Sequence, residues 1–105
     1  MSTFADTLRH IDALYAYTPT RFYNGCGADP IVNEAGQNEG SCKTFAYALL
    51  KGLDREQTLA LFAEHYREVL ARPEAYSHAN IRRFMRDGWA GLRFDGQPLV
   101  ERAQA

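Results

Sequence analysis

Apolar residues along the chain follow two rhythms, a three-to-four-residue repeat and a two-residue alternation, separated by polar clusters that carry glycine or proline. Phe4, Leu8, Ile11 and Tyr15 recur at i, i+4, i+7 and i+11, the stripe of an amphipathic helix, and Ser2 or Thr3 stands where its first N–H groups need a cap. Pro19 opposes helical geometry at Thr18, so this pattern predicts a helix over about residues 3–17. Arg21 to Gly25 runs aromatic residues into an Asn-Gly turn signal and predicts a short strand, with Ile31-Val32 as its return. Behind Ser41, the set Cys42, Phe45, Ala46 and Leu49 predicts a second helix over about 42–51, stopped by Gly52. Asp54 with Gln57 forms a capping-box start, and Leu59, Phe62, Tyr66 and Val69 stripe a third helix that ends before Pro73. Ser77 opens a fourth, with Ile81, Phe84 and Met85 inward, Arg82, Arg83 and Arg86 outward, and Gly88 as its stop. Leu92 and Phe94 alternate around Arg93 before Asp95-Gly96, which predicts a strand and tight turn with Leu99 returning and the tail from Glu101 to Ala105 frayed. The expected fold is α+β: one small domain of about four helices packed on a small, partly antiparallel sheet.

Composition narrows the function classes. A chain of 105 residues, 46% hydrophobic, can bury a single core. Twelve basic residues against 13 acidic leave a net charge of −1, without the field that draws in nucleic acid or anionic lipid, so neither is an expected partner. No apolar run approaches the ~20 residues of a bilayer span, and the first dozen residues lack the basic end and apolar stretch of a secretory signal. The expectation is synthesis in the cytoplasm, with signal-independent export left open. Cys26 and Cys42 are accordingly expected as reduced thiols.

The segment Asn33-Glu34-Ala35-Gly36-Gln37-Asn38-Glu39-Gly40-Ser41-Cys42-Lys43 concentrates the candidate chemistry. Cys42 in the first turn of a helix has unpaired N–H groups and a dipole that favour a thiolate, and Lys43 acts in the same direction. With Gln37 as oxyanion donor and His78 or His65 as base, the set matches the parts of a small cysteine-dependent hydrolase or transferase, and Gly40-Ser41-Cys42 resembles the G-S-C segment of papain-like proteases. Against this, Cys42 shares the stripe of Phe45, Ala46 and Leu49, where a cysteine is a small buried hydrophobe. Asn33, Gln37 and Asn38 are expected either to close Asx-type turns, with Gly36 and Gly40 supplying positive φ, or to face a ligand. Trp89, between Gly88 and Gly91, is read as core or as the wall of a cleft. The three histidines and two cysteines lack the C-x-x-C, H-E-x-x-H and finger spacings, so neither a metal nor another cofactor is expected.

Several strings together carry a family resemblance: Thr18-Pro19-Thr20, Phe22 with Asn24-Gly25, the segment from Asn33 to Lys43, Asn80-Ile81-Arg82 with Phe84-Met85, and Gly88 to Leu92. In this order, over about residues 4–100, the chain resembles the HopJ (HopPmaJ-like) type III effector family. The resemblance implies a small bacterial protein, in plant pathogens a candidate substrate of type III secretion acting inside a host cell, and it implies no enzymatic mechanism. Similar sequences also look like chromosomal proteins of bacteria that infect no plant, which leaves a housekeeping role open. Cys26 lies in extra residues, Cys26 to Pro30, relative to the family pattern. The first expectation is therefore an effector that binds a host or bacterial protein through Asn33, Glu34, Gln37, Asn38, Lys43 and Trp89; the second is the Cys42 enzyme.

Overall fold

Thr3 begins the first helix, α1 (Phe4–Leu14), by a reciprocal cap: its hydroxyl accepts the Asp6 N–H, and the Asp6 carboxylate accepts the Thr3 N–H. The computed structural model describes residues 2–103. Helix α1 ends three residues earlier than the periodicity predicts, because Tyr15–Tyr17 form strand β1 against Leu99–Glu101, strand β5. Antiparallel pairing there satisfies backbone groups that a further helical turn would have bonded internally.

Phe22–Asn24 (β2) is the centre of a second sheet, with Ile31–Asn33 (β3) on one side and Leu92–Phe94 (β4) on the other, both antiparallel. Leu99 therefore returns to β1, not to β4 as the turn at Asp95-Gly96 suggested. The tail is paired as far as Glu101, Arg102 donates its backbone N–H to the Leu14 carbonyl, and residues 104 and 105 lie outside the described part.

Helix α2 (Glu39–Lys51) starts three residues before the expected position, capped by Asn38 in left-handed geometry, and ends at Gly52. The predicted third helix is two: α3 (Arg55–Ala60), opened by the Asp54–Gln57 capping box, and α4 (Glu64–Ala71), with Ala63 at φ +52° between them. No glycine or proline marks this break. Tertiary bonds hold it, since the freed Leu61 carbonyl accepts the Thr7 hydroxyl at 2.8 Å and the Glu64 carboxylate accepts the Phe4 N–H at 2.7 Å, capping α1 from outside. Helix α5 (Ala79–Asp87) begins after His78, also left-handed, and leads through a tight turn at Gly88–Gly91 into β4. Among the described residues there are thus five helices, and the fold is α+β as expected.

Cys42, Phe45, Leu59, Phe62, Val69, Ile81 and Phe84 bury the helices against Phe22 of the central strand. A smaller cluster of Ile11, Tyr15, Ala46, Tyr47 and Leu99 sits under the β1–β5 ribbon. The arginines of α5 are not a simple solvated face. Arg82 donates to the Ser77 carbonyl, while Arg83 donates to Asp87 and to the Cys26 and Asp29 carbonyls, tying the 26–29 loop to the helix.

Candidate functional site

Four asparagines organise the end of the molecule where β2, β3, α2 and α5 meet. The buried Asn80 side chain accepts from Asn24 and Asn33, and it donates to the Asn33 side-chain oxygen at 2.9 Å, which also accepts from Asn38 at 2.6 Å. Side-chain amides suit this position because each can both donate and accept, so the network satisfies most of the groups that would be costly to bury alone, the Asn24 side-chain oxygen being the one without a protein partner. Asn33 is 1% exposed and Asn24 fully buried, which makes them framework rather than contact residues.

Beside this network lies a cleft of about 410 Å³, walled by Phe4, Ile31, Asn38, Ser41, His65 and His78 among others. Among the described residues three non-glycine positions have positive φ: Asn38 and His78 line the cleft, and Ala63 precedes α4, whose His65 lines it too. Such backbone geometry costs of order 1–3 kcal/mol per residue and clusters at functional sites. At Gly40 the constraint is space, not positive φ: a Cβ would stand 3.0 Å from the Phe4 ring, which would have to shift by a few tenths of an ångström. Asn38, not Gly40, takes the left-handed conformation.

An aromatic run leads from the core to the cleft, from Phe45 to Phe62, Phe4, His65 and His78, with ring centroids 5.2, 5.4, 5.1 and 4.8 Å apart in turn. His78 Nε2 lies 2.9 Å from a Glu68 carboxylate oxygen, and this hydrogen bond holds the Glu68 carboxyl below its ordinary range. His65, Glu68 and His78 each present a ligating atom, all within 4.8 Å of one another. Motif spacing could not find this group, since His78 comes from a different helix; the one local signal was the i, i+3 pair His65 and Glu68 on a face of α4.

The parts expected for cysteine chemistry are not assembled. Cys42 is 1% exposed, and its thiol donates to the Thr20 carbonyl at 3.7 Å. Because α2 starts at Glu39, the Cys42 N–H is already bonded to the Asn38 carbonyl and is not one of the unpaired groups of the helix start. Burial pushes the thiol up to about 11, away from the thiolate form. His78 pairs with Glu68, and Gln37 closes a turn, its side-chain oxygen accepting the Glu34 N–H at 3.1 Å. Lys43 reaches Asp12 at 2.9 Å across the Tyr17 ring, not the thiol.

Of the residues expected to meet a partner, Asn38 lines the cleft. Glu34 is exposed and paired with Arg21. Trp89 packs on Phe84 and donates its indole N–H to the Leu53 carbonyl, so it is a framework residue.

The architecture matches a crystal structure described as that of the unknown-function protein VPA0580, with a TM-score of 0.89 and 44% identity over 95% of this chain and 81% of the other. Comparison with curated protein sequences gives no match. The model of the HopJ type III effector protein family matches residues 1–99, taking in both the asparagine network and the cleft, and the chain therefore belongs to the HopJ family.

Proposed function

We propose that this HopJ-family protein works by binding rather than by thiol chemistry, as a type III effector whose recognition face is the cleft beside the asparagine network. The observation that carries the reading is the division of labour at the start of α2: Asn38, Gly40 and Ser41 wall the cleft while Cys42 faces the core. A second concavity shares Ile31 and Ala79 with the cleft and extends the face to Tyr76, Arg82 and Arg86. Tyr76 is 95% exposed, and an exposed tyrosine flanked by arginines is the residue chemistry of interface anchors. The partner is a protein with an acidic and aromatic-accepting surface, met inside a host cell after export.

Site-specific photo-crosslinking tests this. A crosslinker at Tyr76 should capture one defined protein, Ser41→Arg in the cleft should abolish the capture, and a crosslinker at exposed Val100 should not reproduce it. Equal capture at both positions would overturn the assignment of the face. Export is tested separately by a translocation reporter fused to the chain, whose signal should require a working type III apparatus.

A further inference from the structure

We propose that His65, Glu68 and His78 bind one divalent transition-metal ion of the zinc or cobalt(II) type at the edge of the cleft. His65 and Glu68 project from adjacent turns of α4, and His78 comes from the left-handed residue that opens α5, so two elements converge on one point. Metal–nitrogen and metal–oxygen bonds of about 2.1 Å place tetrahedral ligand atoms about 3.4 Å apart. The Glu68–His78 pair already stands at 2.9 Å, and the widest separation, no more than 4.8 Å, must close by at most about 1.4 Å (4.8 less 3.4). Side-chain rotation suffices, because Glu68 is half exposed and His78 a quarter.

Two imidazoles and one carboxylate form a borderline donor set, suited to zinc, cobalt, nickel or iron(II) and unsuited to calcium or magnesium, which take oxygen shells. The His65 ring is steadied edge-on by Phe4, a neighbour that leaves its nitrogens free to bind an ion. Both histidines line the cleft, so the remaining coordination position opens toward it, the arrangement of a metal that keeps an exchangeable ligand. An ion pair alone would use Glu68 and His78; the third group, aligned with them by a strained backbone at Ala63 and His78, is what a metal explains.

The site is independent of the partner-binding reading, since it needs only this chain. The 105-residue chain, stripped with chelator, is titrated with Co²⁺ and then Zn²⁺ by calorimetry and visible absorption. One ion per chain is expected, with the visible band of four- or five-coordinate cobalt, displaced by zinc. His65→Gln, Glu68→Gln and His78→Asn should each weaken binding by at least about tenfold. Asparagine tolerates the left-handed backbone at 78, so the stripped His78→Asn variant should melt as the stripped wild type does, and zinc should raise the melting temperature of the wild type but not of this variant. His10→Gln and Cys26→Ser should bind as wild type does. Absence of saturable binding, binding that survives all three ligand substitutions, or binding lost with Cys26→Ser would each overturn the site.

Discussion

The first turn of α2 has two faces, and they were built for different ends. On one side Asn38 and Ser41 border an open cleft with strained backbone and clustered polar side chains; on the other Cys42 and Phe45 lie in a packed core where the thiol meets the Thr20 carbonyl and the Tyr17 hydroxyl. The residue with the more reactive functional group sits on the inert side. A helix position is reactive through its surroundings, here exposure, free N–H groups and a base, and Cys42 has none of these.

The comparison can be broken most forcefully at the amide network that joins the two faces. Asn80→Ala should destabilise the fold by about 1–3 kcal/mol in denaturant titration, because it takes the acceptor from the buried Asn33 side-chain NH2 group and one of two acceptors from Asn24, which keeps the Asn80 backbone carbonyl. Loss below about 1 kcal/mol would show the network to be water-supported and the cleft floor loose.

The second effect belongs to the closed face and has a defined sign with pH. A thiol whose folded value is raised from 9.0 to about 11 favours the folded state while protonated, so its contribution is complete below pH 9 and declines as pH rises toward 11. Wild type should lose about 1–3 kcal/mol more than Cys42→Ala across that window, measured as the difference between their denaturation curves. In the same samples, alkylation at neutral pH should label Cys26 at once and Cys42 only on unfolding. Fast labelling of Cys42 would favour the enzyme reading over the binding one.

At the buried break between α3 and α4 a substitution should stabilise. Ala63→Gly relieves a positive φ of 52° and should raise stability by less than about 1 kcal/mol, the gain being the relieved strain less the added chain entropy of glycine and the loss of a buried methyl group. The smallest effect is expected at the exposed rim, where Glu34→Gln breaks the pair with Arg21 and should change stability by less than about 0.5 kcal/mol, seen as a shift near the limit of a thermal melt.

Much of the fold was legible in the chain. The stripes of Phe4 to Ile11 and of Cys42 to Ala46, the caps at Thr3 and Asp54, and the strand at Phe22–Asn24 all rest on neighbours in sequence, and they stand where the pattern put them. Of the asparagines and glycines of 33–40, Asn38 and Gly40 line the candidate cleft. Helix phase, which decides what Cys42 faces, was legible, while the helix start, which decides whether its N–H is free, lay three residues earlier than the pattern put it.

By itself, then, the sequence determined the α+β class, the number and order of most elements, the core stripe and the family. The break at Leu61–Ala63, the β1–β5 pairing, the left-handed caps and the meeting of His65 and Glu68 with His78 were decided by the tertiary structure alone. The physical reason is common to all four: each depends on hydrogen bonds or packing between residues distant in the chain or on strain held by such contacts, which local propensity cannot register.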